Sequence, residues 1–175
     1  MTGIYPIQPH SHCNFKMRMS DRLKEQILKE DFKGNTKKFH TFENNFKESF
    51  SSVDDSTVID LEKNENNVYR AVLTNENFPG KTVKTAWLFK KLKNSRIADK
   101  LLGLCHMNFV KAEEKLVKKG LAEMADNFTP AEKIHEAVDK TCSGDVRKSD
   151  YMHRFADDII ITKEQYPYQS LADLI

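Results

Sequence analysis

The 175-residue chain lacks the features that mark several classes of protein. Its three cysteines, Cys13, Cys105 and Cys142, are odd in number and have no closely spaced pair. The pattern argues against a disulfide framework and favours a reducing compartment. No run approaches the roughly 18 apolar residues of a membrane-spanning helix, and the first residues lack the order of a secretory signal. We expect a cytoplasmic protein with no membrane association.

Signatures of enzymes and of cofactor binding are also missing. Gly80-Lys81-Thr82 has no upstream glycine of a phosphate-binding loop, so a turn is predicted. His10, His12 and Cys13 are close together, but no Cys-x-x-Cys spacing accompanies them to indicate zinc. No nucleophile can be paired with a base and an orienting group. We expect neither an enzyme nor a bound metal or cofactor.

One further motif, "HRFADDIII" at His153–Ile161, resembles the Ala-Asp-Asp catalytic strand of reverse transcriptases. Those enzymes need a third carboxylate far upstream and a palm domain too large for this chain. We therefore interpret the motif as a polar turn that enters a buried strand at Asp157–Thr162.

The charge is distributed unevenly along the chain, although the net charge is only +2. Residues 1–79 carry a net charge of −1, residues 80–120 carry +8 and residues 121–175 carry −5. The central block holds 11 Lys and Arg against 3 Asp and Glu. This asymmetry is what phosphate binding requires. The abundance of Lys, Asn, Phe and Ile suggests an AT-rich coding genome, such as that of a phage, a virus or a low-GC bacterium.

The first half of the chain changes from a helical to a strand pattern. Residues 1–19 contain prolines and no period, which predicts an irregular arm. A helix is expected from Ser20 to about Phe32, because Ser can cap the first turn. Residues 57–74 form two β-rich runs around a polar turn at Asn64–Asn67, which predicts a hairpin.

The second half is predicted to be mostly helical. After Pro79-Gly80, one helix is expected to bury four apolar residues, Val83, Trp87, Leu88 and Leu92. Thr129-Pro130 begins a further helix that continues to about Thr141, because proline needs no amide donor at the first helical position.

Four phenylalanines, Phe39, Phe42, Phe46 and Phe50, are spaced by three, four and four residues. On a helix their rings form a single stripe. The stripe is interpreted first as a core face, since amphipathic helices bury their apolar side. The alternatives are a docking face for a protein partner or a second copy, and stacking on single-stranded bases.

The segment "SRIADKLLGLCHMNFVKAEEKLVKKGLAE", residues 95–123, has the pattern of two helices joined at Leu102-Gly103-Leu104. The inner face of the first helix would be formed by Ile97, Ala98 and Leu101. Phe109, Ala112 and Leu116 would form that of the second, with a stop at Gly120 and Leu121 packed beneath. The segment resembles the helix-turn-helix core of winged-helix transcription regulators of the MarR type.

The resemblance implies that the second helix lies in the major groove of DNA and the neighbouring cations contact phosphates. The groove contacts it implies are His106, Asn108 and Lys111. The implied phosphate contacts are Lys115, Lys118 and Lys119. Neighbouring elements could extend the footprint through Lys81, Lys84, Lys90, Lys91, Lys93 and Arg96. The chain departs from the family after Gly120-Leu121, where residues 122–137 pass into another helix, so a short or missing wing is expected.

We therefore expect an α+β, mainly α protein with a winged-helix-like centre, a small β-hairpin and flanking helices. An N-terminal arm of residues 1–19 would precede a single domain at 20–175, with the helix-turn-helix at 84–123. The predicted function is duplex DNA binding by a homodimer, through occupancy of a site. The alternative is a non-enzymatic protein-binding regulator or adaptor, of phage or viral origin, that uses the same scaffold and the phenylalanine face.

Overall fold

The computed structural model describes residues 18–49, 56–66, 68–85, 96–102, 106–142, 145–171 and 175. For residues 106–108 it describes the backbone alone. The fold is α+β and mostly helical, with one small four-stranded sheet in the described part. This confirms the predicted fold class at that level.

The sheet is built around the predicted hairpin. Strands β1 (Arg18–Met19), β2 (Thr57–Lys63), β3 (Tyr69–Asn75) and β4 (Thr82–Lys84) lie side by side in chain order. β1 is parallel to β2, and the other pairs are antiparallel. In the turn after β2, the Asn64 side chain accepts hydrogen bonds from the backbone N–H groups of Asn66 and Val68, which fixes the hairpin register.

Two predictions at the margins of the sheet are wrong. Arg18 and Met19, assigned to an irregular arm, form a strand because the edge of β2 offers them backbone partners. Val83, assigned to a helix, lies in β4 opposite Leu73. An apolar side chain such as that of Val83 can be buried from a strand as well as from a helix. The unpaired edge of β3 favours the strand, because it offers backbone hydrogen-bond partners. The other members of that predicted helix, Trp87, Leu88 and Leu92, lie outside the described residues.

Six helices are present in the described residues. They are α1 (Asp21–Glu30), α2 (Thr36–Ser49), α3 (Ile97–Leu102), α4 (His106–Asp126), α5 (Ala131–Cys142) and α6 (Val146–Gln165). α1 begins as predicted, because the Ser20 hydroxyl accepts a hydrogen bond of 3.1 Å from the Leu23 amide. α5 begins directly after Thr129-Pro130, also as predicted.

The buried residues form two hydrophobic cores. The first core takes the inward residues of the sheet, of α1 to α3 and of α4 as far as Leu116. The second core takes α4 from Val117 onward, together with α5, α6, Phe78 and Leu171. α4 is thus shared by both cores, and it packs against β3 and β4 as well as against α5 and α6.

The phenylalanine stripe of α2 lies in the first core. Phe39, Phe42 and Phe46 are exposed by only 7%, 6% and 0%, and Phe32 packs against them. The rings therefore contribute their area to the folding of this chain. The docking interpretation is corrected for these three residues, because buried rings offer no surface to a partner. Phe50 lies outside the described residues.

The predicted strand at Asp157–Thr162 is wrong, since these residues belong to α6. The buried residues of α6, Met152, Ala156, Ile159 and Lys163, recur every three or four positions, which is helical periodicity. Ile161 is 51% exposed. The short apolar run therefore lies across two faces of a helix. Asp145 caps the start of α6 by accepting from the backbone N–H groups of Arg147 and Lys148.

Candidate nucleic-acid interface

The two helices predicted for the helix-turn-helix are present as α3 and α4. Their predicted inner residues are all buried, which confirms that part of the pattern. These residues are Ile97, Ala98 and Leu101 of α3 and Phe109, Ala112 and Leu116 of α4. The first turn of α3 is held by Asp31, whose carboxylate accepts a hydrogen bond of 2.6 Å from the Ala98 amide. The joining residues 103–105 lie outside the described part.

The second helix does not stop at Gly120. It continues to Asp126, and Leu121, Ala122 and Ala125 are buried in the second core. A Cβ at position 120 would collide with the ring of Phe78, so the missing side chain allows the sheet turn to pack directly on α4. Residues 127–130 join α4 to α5, and no hairpin wing follows α4 in the part of the chain that the structure describes.

The outward strip of α4 carries two predicted contact residues. Lys111 and Lys115 are exposed and lie one helical turn apart, about 6 Å along the axis. No ion-pair partner is recorded for either side chain within the described residues. Their charges are therefore available to an anionic ligand.

Lys118 continues this strip but is held in place. Its ammonium lies 2.9 Å from a Glu114 carboxylate oxygen and 2.5 Å from the Tyr151 hydroxyl. It also lies over the Tyr151 and Phe155 rings, at 4.7 and 5.3 Å from their centroids. Burial would lower the pKa of Lys118, but the hydrogen bonds to Tyr151 and Glu114 outweigh it and raise that pKa. Lys118 thus stays charged at the border of the strip.

Four other described cations of the basic block are engaged elsewhere. Lys81 pairs with Glu123 at 2.8 Å, and Lys84 pairs with Glu62 at 3.1 Å. Arg96 donates two hydrogen bonds to Asp99, which raise its pKa. Lys100 is only 5% exposed and packs over the Tyr69 ring, and burial lowers its pKa. Among the described cations of this segment, those that are exposed and without an ion-pair partner are therefore a minority.

The remaining predicted contacts divide into two groups. His106 and Asn108 lie in the first turn of α4, where the structure describes only the backbone, and Lys119 is half-buried on the same helix. Lys90, Lys91 and Lys93 lie outside the described residues. Within the described part, Lys111, Lys115, Lys118 and Lys119 share α4, and Arg96 lies next to α3 with its charge paired.

A cleft of about 510 Å³ borders the exposed lysines. It is lined by Lys111, Glu114, Lys115, Lys118, Phe155 and Ile175, and is called here the lysine cleft. The contribution of α6 was missed from the sequence, because residues 157–162 were assigned to a strand. The available signal was the spacing of Tyr151 and Phe155, which places both rings on one helical face.

Two glutamates of α4, Glu113 and Glu114, would repel a bound anion to different extents. Glu113 is fully buried, and its carboxylate lies 2.7 Å from the Lys148 ammonium. Glu114 lines the lysine cleft and pairs with Lys118. Of these two glutamates, only Glu114 therefore brings negative charge to the candidate interface.

Among the described residues, no group of three or more His, Cys, Asp or Glu side chains could hold a metal ion; His10, His12 and Cys13 lie outside this part. None of the described helices has the length and apolar content needed to cross a membrane. Comparisons of the chain with family models, curated protein sequences and solved structures found no match. Function must therefore be inferred from geometry and charge.

Proposed function

We propose that the protein is a non-enzymatic, cytoplasmic regulator that binds duplex DNA through α4 and the adjoining lysine cleft. The observation that carries the proposal is the pair of exposed lysines, Lys111 and Lys115, on the outward strip of α4. Cations that have no carboxylate partner can exchange water and counterions for phosphate oxygens. Binding would block or mark a site on the DNA, and no chemical step is involved.

The packing of α4 restricts how the helix can approach a duplex. The sheet and the helices α5 and α6 cover most of its circumference, so Lys111 and Lys115 meet the ligand from the side. Such an approach favours contacts with the phosphate backbone, which fix position without reading sequence. In a helix-turn-helix protein the N-terminal end of the recognition helix enters the major groove, and by that analogy His106 and Asn108 would read the base edges.

The lysine cleft adds a second type of contact. Phe155 lines the cleft, and Tyr151 is 48% exposed beside it. Lys118 bridges the two rings, so a positive charge and aromatic surface lie together. Phosphate and sugar groups at the edge of a duplex can contact such a surface through charge and apolar area together.

The proposal is tested by fluorescence anisotropy with a labelled duplex over a range of salt concentrations. Each phosphate contact contributes about 0.9 to the slope of log affinity against log salt, so Lys111 and Lys115 together contribute about 2. The double variant Lys111→Glu/Lys115→Glu should lose that part of the slope and bind more weakly. Absence of binding by the unmodified protein at low salt rejects the proposal.

The matched control changes the same amount of charge on another helix. Lys37 and Lys38 are exposed on α2, outside the candidate interface. The variant Lys37→Glu/Lys38→Glu should retain the unmodified slope. If this variant loses as much affinity as the α4 variant, only net charge matters, and the assignment to α4 is rejected.

A second candidate function, protein binding, is favoured by an aromatic surface at the opposite end of α4. Phe128, Tyr166 and Tyr168 are exposed by 68%, 58% and 101%. Phe128 also has a left-handed backbone, with φ of 54°. It lines a groove of about 410 Å³ with Ile160. We propose that a second copy of this chain occupies the groove, in accord with the predicted dimer. In sedimentation velocity, the variant Phe128→Ser should associate more weakly than the unmodified protein. If the unmodified protein is monomeric, the proposed self-association is rejected.

A further inference from the structure

Two histidines and two aspartates form a chain of contacts across the α5–α6 interface. His135 Nδ1 of α5 lies 2.9 Å from His153 Nδ1 of α6. His153 Nε2 lies 2.9 Å from Asp139 Oδ1, and His135 Nε2 lies 3.2 Å from Asp157 Oδ1. Each imidazole therefore faces the other ring on one side and a carboxylate on the other.

The number of protons that this chain needs can be counted. An ionised carboxylate only accepts hydrogen bonds, so both Nε2 atoms must carry hydrogen for their contacts to be attractive. Two neutral imidazoles with hydrogen on Nε2 then present two lone pairs to each other at the Nδ1 atoms. One added proton between these atoms completes the chain, whereas a second one would place two N–H groups face to face.

The ring geometry favours a proton over a metal ion in that position. The centroids are 5.2 Å apart and the ring planes differ by 20°. That separation is close to the largest that two imidazoles can have when their Nδ1 atoms are 2.9 Å apart. The lone pairs therefore point along one line. A metal ion on this line, at about 2.0–2.1 Å from each nitrogen, would need the nitrogens about 4 Å apart.

We propose that His135 and His153 form a binding site for a single added proton, which links α5 to α6 in a pH-dependent manner. When that proton is lost at high pH, the two Nδ1 lone pairs face and repel each other. When a second proton is gained at low pH, two N–H groups face and repel each other. The pair therefore stabilises the fold most between these two steps. Its members are about one-third exposed, at 33% and 31%, so protons exchange freely with solvent.

The charged surroundings belong to both helices. On α5, Asp139 contacts His153, and Glu136 next to His135 is paired with Lys133 and Lys140. On α6, Asp157 contacts His135. The charged neighbours of His153 within one turn are Asp150, Arg154 and Asp157. From α4, which also packs on both helices, no charged side chain is recorded in contact with either ring within the described residues. The two carboxylates in contact favour the singly protonated pair.

The test is a titration of the histidine ring nitrogens in the ¹⁵N-labelled full chain by nuclear magnetic resonance. The pair should take up its two protons in steps separated by more than about one pH unit, because interacting sites titrate together. His40, which is 69% exposed on α2, is the reference ring. Independent single steps at His135 and His153 would overturn the proposal.

Two further measurements distinguish the remaining outcomes. In His153→Gln the shared proton has no second ring nitrogen to bind, so the His135 resonances should show one step in place of two. If two steps persist at His135, another group causes them, and the proposal is wrong. Addition of Zn²⁺ or Cu²⁺ to the unmodified protein should leave both Nδ1 resonances in place at equimolar metal. If both resonances shift together on stoichiometric addition, the site is a metal site, and the proton proposal is wrong.

Discussion

The ion pair between Lys148 of α6 and the buried Glu113 of α4 is expected to be a main determinant of stability. The Glu113 side chain is 0% exposed and the Lys148 side chain is 14% exposed, with 2.7 Å between ammonium and carboxylate. The other carboxylate oxygen lies 3.5 Å from the Thr57 hydroxyl, which accepts a hydrogen bond from Asn75. Sheet, α4 and α6 therefore meet at one charged group, at the junction of the two cores.

The substitution Lys148→Met removes the cation but keeps the length of its apolar stem. Breaking a buried pair from one side costs about 3–5 kcal/mol, because the buried charge that remains loses the attraction of the removed one. Lys148 is at the edge of the junction, so we expect about 3 kcal/mol at the lower end of that range. For a chain of this size the melting temperature should fall by about 6–12 °C.

The measurement is urea unfolding followed by circular dichroism, with a second variant to separate charge from packing. Glu113→Gln keeps the shape of the side chain and should be milder, at about 1 kcal/mol, since Lys148 can turn to solvent. Lys148→Met/Glu113→Gln should then be more stable than Lys148→Met alone by about 1–2 kcal/mol.

The matched control removes a lysine from a solvent-exposed pair of similar length. Lys133 and Glu136 are 2.8 Å apart on α5, with side chains exposed by 66% and 44%. Lys133→Met should not change the urea midpoint measurably, because water screens such pairs. The reasoning about Glu113 is refuted if Lys148→Met also leaves the midpoint unchanged, or if the double variant is no more stable than Lys148→Met.

Two further predictions concern packing and pH. Gly120→Ala should lower the free energy of unfolding by about 1–3 kcal/mol despite the better helix propensity of alanine, because its Cβ meets the Phe78 ring. In urea unfolding, Gly120→Ala should cost less in a Phe78→Leu background. If the losses of the two single variants simply add, the proposed contact is contradicted. The pKa of Glu136 is lowered from 4.5 to about 2, first by its hydrogen bond from Lys133. Glu136 should therefore stay ionised until the pH falls toward 2, and its protonation should change stability little, because water screens this exposed pair. Carboxyl ¹³C titration should show this midpoint, and Lys133→Met should raise it.

Local patterns predicted the elements that depend on local contacts. The Ser20 cap, the Asn64 turn and the Thr129-Pro130 helix start each act within a few residues of themselves. The inner faces of α3 and α4 followed from the same short-range periodicity. A single sequence therefore contained enough information for the hairpin and for five of the six described helices.

The errors arose where distant residues decide the structure. Val83 forms a strand because β3 has an unpaired edge, which no neighbour of Val83 in the sequence reveals. The helix α4 continues past Gly120 into the second core, where Leu121, Ala122 and Ala125 are buried, and the Phe78 ring packs where a side chain at 120 would lie. The run Ile159–Ile161 is short enough to suit either a strand or a helix, and the buried positions Met152 and Ala156 upstream decide for the helix.

The candidate interface shows the same division between composition and geometry. The sequence located the positive charge, but the pairing of Lys81, Lys84 and Arg96 with carboxylates depends on the fold. Only Lys111 and Lys115 are both exposed and without an ion-pair partner among the described residues of that block. A footprint of two to four phosphates predicts a shallow salt dependence, with a slope magnitude of about 2–4. A slope near 8 would instead show that cations beyond the described residues dominate binding, and α4 would then be a minor part of the interface.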